Sequence, residues 1–215
     1  AWFFRLRACL ADPPAESPST IKSSEFAGSR SWQSASFPGS DEISSAPLRR
    51  VKSRAFLAAS EACQAAGGQV ALSLSDGFCV NLHRDSFLDL VNGHVDVLFA
   101  NEVEIKSLYQ TDDLEAALES VRNCCSVVAV TCGSQGSVGL SGDQRWQIGI
   151  FGLGTLVDTT GAGDLYAGGF LHAYTQGESL ERCGQLGALC AGQIVTQLGA
   201  RSTVSLRDLA AAHLN

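Results

Sequence analysis

The residue types best suited to chemistry occur together in one short string, VDTTGAGD, at positions 157–164. Gly161, Ala162 and Gly163 stand at the predicted start of a long helix, where backbone N–H groups can approach an anion closely and the helix dipole adds positive charge. Asp164 falls in the first helical turn, where its carboxylate could take a proton from a hydroxyl held against that anion. The pattern predicts a phosphate site with a general base beside it; the alternative is a plain helix cap behind a glycine-rich turn.

A second pair of candidates precedes this string. Asn101 and Glu104 are spaced i, i+3 at another predicted helix start, so both side chains share one helix face. Glu104 could hold Mg²⁺ through water, because this hard ion prefers oxygen ligands and keeps several waters. The alternatives are a plain N-cap for Asn101 and a solvated surface acid for Glu104. Asp76, which follows a predicted strand, is a weaker candidate for the same shell.

A third group follows a Val-rich predicted strand at residues 126–132. Thr131 and Gly133 lie at its carboxyl end, and Gly136 comes three residues later. Small residues there allow a ribose or phosphate to approach the backbone closely. The alternative is an ordinary tight turn between two strands.

Alternating strand and helix patterns must position these residues. Strands are predicted at residues 69–75, 95–100 and 126–132, with a hairpin formed by residues 137–141 and 144–150. Helices are predicted at residues 47–66, 85–91, 102–109, 111–122, 161–174 and 180–198, and a short one from 205. Such alternation predicts a parallel sheet with helices on both faces and ligands at the carboxyl ends of the strands.

These motifs together resemble a known family. DTTGAGD followed by LYAGGF resembles the C-terminal signature of the ribokinase-like (PfkB) carbohydrate and nucleoside kinases, and NEVE at 101–104 and TCGSQG at 131–136 resemble two further family motifs in the expected order. The residues in and around these motifs most resemble those of bacterial adenosine-kinase-like members, and the resemblance covers residues 49–210. It implies a three-layer α/β/α ribokinase-like fold with a mostly parallel sheet.

The resemblance also implies an activity, namely transfer of the ATP γ-phosphoryl group to an alcohol of an adenosine-like nucleoside or a sugar. Asp164 would be the general base, and the Gly161, Ala162 and Gly163 amides would form the anion hole. The nucleotide would lie against Thr131, Gly133, Gly136, Asn101 and Thr160. Mg²⁺ would be held near Glu104 and Asn101, with Asp158 in the metal set, and potassium, which many members use, would lie beside Asp158 and Thr160.

The first part of the chain departs from the family. Residues 1–46 are rich in Ser, hold four of the five prolines and lack a sustained apolar period, so they are predicted to be flexible or unrelated. Residues 47–215 would form the nucleotide-binding and catalytic part, N-terminally truncated, without the lid and part of the sheet. The alternative function is a non-catalytic nucleotide-binding module or inactive fragment. A Rossmann-type binder is disfavoured because no G-x-G-x-x-G opens the first helix.

The composition of the chain limits the kinds of partner that the protein is expected to bind. The 15 basic and 22 acidic residues give a net charge of −7 without a basic cluster, which argues against nucleic acid. No apolar stretch is long enough to span a membrane. The eight cysteines lack a C-x-x-C pair and mostly fall in apolar runs, so buried free thiols and a cytoplasmic location are expected. The sequence indicates a small-molecule acceptor and leaves the oligomeric state open.

Overall fold

The computed structural model describes residues 3–6 and 46–214, with side chains described from residue 55 onward. The strands are β1 (Phe3–Leu6), β2 (Gln69–Ser73), β3 (Val97–Asn101), β4 (Val127–Thr131), β5 (Ser137–Ser141) and β6 (Gln144–Ile148). The helices are α1 (Ala46–Ala65), α2 (Gly77–Leu82), α3 (Arg84–Gly93), α4 (Glu102–Tyr109), α5 (Leu114–Val121), α6 (Ala162–Thr175), α7 (Leu180–Ile194) and α8 (Leu206–His213).

All six strands form one mixed sheet in the order β1-β2-β3-β4-β5-β6. The β2–β3 and β3–β4 pairings are parallel, whereas the other three pairings are antiparallel. The prediction of a mostly parallel sheet is therefore too strong. A single 3-10 turn joins β4 to β5 and a two-residue turn joins β5 to β6, and connections this short can only link antiparallel neighbours.

Helices cover both faces of the sheet, which confirms the predicted three-layer α/β/α architecture. Side chains alternate between the faces along each strand. Leu98 and Ala100 enter one core with α3, α4 and α5, whereas Val97 and Phe99 enter a second core with α6 and α7. In the second core the Phe99 ring meets the Phe170 ring edge-on, with centroids 5.4 Å apart. This contact packs α6, the helix that follows the glycine-rich string, directly on the centre of the sheet.

Most predicted helices and strands agree with the structure to within a few residues. The exceptions are short or terminal. Helix α2 was not predicted, α5 begins at Leu114 behind its cap Asp113, and α7 ends at Ile194, before the predicted residue 198. Strand β2 ends at Ser73, because Ser75 turns the chain with a φ of +67°.

The prediction for residues 1–46 falls largely outside the described residues. Within that segment, Phe3–Leu6 form β1, which the sequence analysis did not predict. This strand lies antiparallel to β2, with Phe3 opposite Leu72 and Leu6 opposite Gln69. It therefore occupies the outer edge of β2.

The cysteines of the described part of the chain are unpaired. Five of these seven thiols are buried, namely Cys63, Cys125, Cys132, Cys183 and Cys190. Burial raises the pKa of Cys125 to about 12 and that of Cys183 to about 11, so both stay protonated.

No helix of the described residues has the length and apolar character needed to cross a bilayer.

Candidate active site

The turn that leads into α6 depends on a glycine at position 161. Gly161 adopts a left-handed conformation with a φ of +80°, and it begins the helix without a side-chain cap. A Cβ at this position would lie 2.6 Å from Cβ of Ala200. Both the backbone angle and the contact with Ala200 therefore favour glycine at this position.

The first turn of α6 leaves amides open. Ala162 N–H donates to the Thr159 carbonyl at 3.1 Å, and Leu165 N–H donates to the Gly161 carbonyl at 2.9 Å. Within the described residues, the amides of Gly163 and Asp164 have no hydrogen-bond acceptor. Unpaired amides at the positive end of a helix dipole are well suited to an anion. Ala162, which the resemblance placed in the anion hole, has already used its amide.

Gly163 and Asp164 are also accessible. Both are exposed, and a Cβ added to Gly163 would have no atom of the described chain within 4 Å. The Asp164 carboxylate forms no hydrogen bond or ion pair within the described part of the chain. A ligand at these amides would therefore meet a free carboxylate and no side chain at Gly163.

A cavity of about 250 Å³ lies at this helix start. The carboxyl ends of β2, β3 and β4 form its other wall. It brings together seven of the predicted site residues, namely Asn101, Glu104, Thr131, Gly161, Ala162, Gly163 and Asp164. Complete ligand pockets measure roughly 300–1,000 Å³. The cavity therefore suits one end of a ligand, such as its phosphate groups.

Asn101 and Glu104 form a reciprocal capping box at the start of α4. The Asn101 amide and side-chain Nδ2 donate to the two Glu104 carboxylate oxygens at 2.9 and 2.7 Å, and Glu104 N–H donates to Asn101 Oδ1 at 2.8 Å. Glu104 is only 5% exposed, and this burial raises the pKa of its carboxyl group above the usual range. The residue is thus neither a solvated surface acid nor a free metal ligand.

The arrangement of oxygen-bearing side chains determines how a metal ion could be held. No three His, Cys, Asp or Glu side chains converge on one point anywhere in the described residues. The described residues therefore offer no complete set of side-chain ligands for a metal ion. The oxygen groups that line the cavity fit Mg²⁺, which prefers oxygen ligands and keeps several waters, and Asn101, Glu104 and Asp164 are the residues that would lie near it.

The β4–β5 turn lies apart from this cavity, although Thr131 at the end of β4 lines it. Gly133 and Gly136 do not. Gly136 has a φ of +88° and a ψ of −128°, and a Cβ there would lie within 2.0 Å of the Ile148 carbonyl oxygen. The alternative of a tight turn between strands thus explains Gly136, because its missing side chain makes room for the chain's own backbone.

Asp158 and Thr160 also lie outside the cavity lining. Asp158 Oδ1 accepts hydrogen bonds from the Thr160 amide at 2.9 Å and from its hydroxyl at 2.7 Å, and Oδ2 accepts from the Gly199 amide at 2.9 Å. These bonds lower the pKa of Asp158, the Gly199 amide most of all. The carboxylate thus ties the glycine-rich turn to the loop at Gly199, and the potassium site beside it stays a prediction.

Several residues of the cavity were not predicted from the sequence. They are Ser73, Ser75, Phe99, Ala100, Ala129, Thr159 and Tyr166. Ser73 and Ser75 follow from the predicted strand at residues 69–75, since its carboxyl end must face the ligand edge. Asp76, by contrast, is absent from the lining and caps α2, accepting from the Phe78 amide at 3.0 Å.

A second, more open depression of about 430 Å³ lies at the opposite edge of the sheet. It is lined by residues that precede β3 and β4, among them Asp96 and Ser126, together with Arg122. None of the predicted site residues borders it, so its size alone does not make it the functional site.

The chain is similar to several known proteins that are described as kinases of small molecules. A probable sugar kinase from Rhizobium etli CFN 42 is 46% identical with a TM-score of 0.72, over 74% of this chain and 48% of that protein. Adenosine kinase from Sinorhizobium meliloti is also 46% identical, with a TM-score of 0.71, over 74% of this chain and 49% of that one.

A more distant relative is the nucleoside kinase of Methanocaldococcus jannaschii. It is 35% identical over 127 residues, which are 58% of this chain and 40% of the relative. Its crystal structure, described as an archaeal member of the ribokinase family, gives a TM-score of 0.57 at 27% identity, over 66% of this chain and 48% of that one. The chain thus has a ribokinase-like fold and spans about half the length of the relatives it matches.

Residues 41–207 match the family described as pfkB family carbohydrate kinase. The match includes all the predicted site residues, from Asn101 to Asp164. The motifs, the fold and the cavity at the start of α6 lead to the same assignment. The chain belongs to the pfkB family of carbohydrate kinases.

Proposed function

We propose that the protein of which this chain is part transfers the γ-phosphoryl group of ATP to an alcohol of a nucleoside or sugar. One observation supports this proposal above the others. The free carboxylate of Asp164 and the two unpaired amides of Gly163 and Asp164 open on the same cavity at the positive end of α6. This arrangement offers a proton acceptor beside an anion site, as phosphoryl transfer to a hydroxyl requires.

In this proposal each group of the chain has one task. The Asp164 carboxylate accepts the proton of the acceptor hydroxyl as that oxygen bonds to the γ-phosphorus and the bond to the β-phosphate oxygen breaks. The amides of Gly163 and Asp164 donate to the phosphoryl oxygens, where charge develops. Compared with the sequence prediction, the Asp164 amide takes the place of the Ala162 amide.

Mg²⁺ would neutralise phosphate charge when bound with the nucleotide. The Asn101–Glu104 capping box would face its waters, and the buried Glu104 carboxylate would hold Asn101 in place by accepting two hydrogen bonds from it. Thr131, which pairs with Ser137 across β4 and β5, would bound the opposite wall.

The names of the relatives support the choice of acceptor class. Their names include nucleoside kinase, adenosine kinase and sugar kinase. The two structures at 46% identity divide between adenosine and a sugar. We therefore propose an adenosine-like nucleoside as the first acceptor to test and simple sugars as the second.

The test is a panel of nucleosides and sugars incubated with ATP and the protein that contains this chain, as the wild type or the Asp164→Asn variant. We expect the Asp164→Asn change to lower turnover by about 10²–10⁴-fold, because the general base is lost, while ATP affinity stays within a few-fold. Asp208→Asn is the matched control, since Asp208 also lies in the first turn of a helix, α8, away from the cavity.

Two results would contradict the proposal. Unchanged turnover in Asp164→Asn would remove this residue from the mechanism. ATP binding without product from any acceptor, in the wild-type protein, would favour the alternative of a nucleotide-binding module without catalysis.

A further inference from the structure

A buried hydrogen bond connects α6 to the sheet beneath the cavity. The Tyr166 hydroxyl donates to Ser137 Oγ at 2.9 Å. Both residues are almost fully enclosed, with Tyr166 3% and Ser137 2% exposed. Burial raises the pKa of Tyr166 to about 12, so the phenol keeps its proton and remains a donor at any ordinary pH.

The bond joins two walls of the cavity. Tyr166 lines the cavity and follows Asp164 by two residues on α6. Ser137 begins β5 and lies opposite Thr131 of β4, which lines the cavity from the sheet side. The bond therefore links the helix that carries Asp164 to the strand pair that carries Thr131.

Away from the cavity, Tyr166 packs in the second hydrophobic core. Its ring stacks near Phe170, with centroids 6.3 Å apart and planes at 30°, and a Cβ added to Gly187 would lie 3.2 Å from the ring. Apolar contacts are not directional, so they hold a helix against a sheet without fixing its height or rotation closely. A hydrogen bond is sensitive to both distance and angle.

Asp158 ties the turn before α6 to the loop at Gly199, but within the described residues no hydrogen bond joins the first turn of α6 directly to a strand. This first turn is rich in small residues, and Gly163 and Asp164 are exposed. Glycine also favours the helix less than other residues do, apart from proline. A contact between α6 and the sheet near this turn would therefore help to hold the two open amides in place.

We propose that the Tyr166–Ser137 hydrogen bond is a positioning contact that holds the first turn of α6, with the amides of Gly163 and Asp164, at a fixed height over the end of β4. The inference rests on the proposed function, because it assigns these amides to the phosphate groups of a nucleotide. Tyr166 and Ser137 are positioning residues, which act through Asp164 and its neighbours.

The test compares Tyr166→Phe, Ser137→Ala and the double variant. Each single change leaves one buried hydroxyl without its partner and lowers stability, whereas the double change removes both groups and recovers most of that loss. A purely structural role predicts that ATP affinity recovers with stability. The positioning role predicts that ATP binds about tenfold more weakly in all three variants, measured by calorimetry well below the unfolding midpoint.

A second measurement needs no ligand. Hydrogen exchange at the Leu165 amide, which closes the first turn, is compared with exchange at Phe170 in the middle of α6. We expect about tenfold faster exchange at Leu165 in the double variant and little change at Phe170. Equal acceleration at both amides, or none, would overturn the inference. If the wild-type chain does not bind ATP, the proposed function fails while this measurement still decides the positioning role.

Tyr174→Phe is the matched control. Tyr174 lies on the same helix and stacks on Phe170, with centroids 6.3 Å apart, but no hydrogen bond of its hydroxyl is found among the described residues. This variant should keep wild-type ATP affinity and wild-type exchange at Leu165. A loss equal to that of Tyr166→Phe would show that any removed phenol disturbs α6, and the inference would be wrong.

Discussion

Two glycine-containing turns lie at the ligand edge of the sheet, and their glycines serve different purposes. In the β4–β5 turn, the missing side chain of Gly136 makes room for the Ile148 carbonyl of the neighbouring hairpin. In the turn before α6, Gly161 makes room for Ala200, whereas Gly163 faces open space beside the cavity.

This difference teaches how to interpret glycines in a motif. A short turn with small residues looks the same in a sequence whether its free volume belongs to a ligand or to the chain. Only a residue whose absent Cβ faces a cavity points to a ligand. By this criterion Gly163 is the glycine to test for ligand binding, whereas the glycine at position 136 is explained by the packing of the fold.

The largest expected effect is that of Gly136→Ala. The new Cβ would clash with the Ile148 backbone, and the φ of +88° suits glycine alone. We expect a loss in the free energy of unfolding on the order of 4 kcal/mol, measured by urea denaturation. Gly133→Ala is the control in the same turn, because its Cβ would meet nothing within 4 Å; it should cost only about 1–2 kcal/mol. Equal losses would erase the distinction between the two glycines.

Gly161→Ala should have the next largest effect. The left-handed backbone and the contact with Ala200 together predict a loss of about 2–3 kcal/mol in urea denaturation. Gly177→Ala separates the two causes, since Gly177 has a similar φ of +77° but an added Cβ would meet nothing within 4 Å. If both variants lose the same free energy, the contact with Ala200 contributes nothing.

Gly163→Ala sharpens the comparison because stability and binding should change in opposite directions. Alanine favours a helix over glycine by up to about 1 kcal/mol, so the variant should be at least as stable as the wild type. The added methyl group should weaken ATP binding about tenfold, or about 1.4 kcal/mol, by calorimetry. Gly168→Ala, also on α6 with open space around its Cβ, should keep its ATP affinity. Unchanged binding in Gly163→Ala would place the phosphate elsewhere.

The smallest effect concerns the Asn101–Glu104 capping box at the start of α4. Burial raises the folded-state pKa of Glu104 above the usual 4.5, so the folded protein holds this proton more tightly than the unfolded chain. The contribution of Glu104 to stability is therefore present below pH 4.5 and is lost as the pH rises through the folded-state pKa. Glu104→Gln should remove that loss, as measured by urea denaturation over a pH series.

Glu115, whose pKa is shifted in the opposite direction, provides a check on the sign of the pH effect expected for Glu104. The Arg145 guanidinium lowers the pKa of the exposed Glu115, so its contribution is present above pH 4.5 and is lost as the pH falls through the folded-state pKa. Glu115→Gln should therefore change the pH dependence in the direction opposite to Glu104→Gln. The same direction in both variants would contradict the assignment for Glu104.

Much of this structure could be predicted from local patterns in the sequence. The spacing of apolar residues, the cap at Asn101 and the strand-ending motifs depend on neighbours within a few positions, and they predicted the helices and strands that carry the site. The same reliance on local patterns explains why helix α2 was not predicted. It has only six residues and opens with Gly77, so it offers no helical period to detect.

Contacts between distant positions were decided by the tertiary structure. Asp158 accepts a hydrogen bond from Gly199, Gly136 packs on Ile148, and Tyr166 donates a hydrogen bond to Ser137. No local pattern in the sequence predicts any of these pairs. The sequence by itself determined which turns could hold an anion and which carboxylate could take a proton. The structure decided which glycine faces open space beside the cavity, because free space beside a backbone depends on what the rest of the chain packs against it.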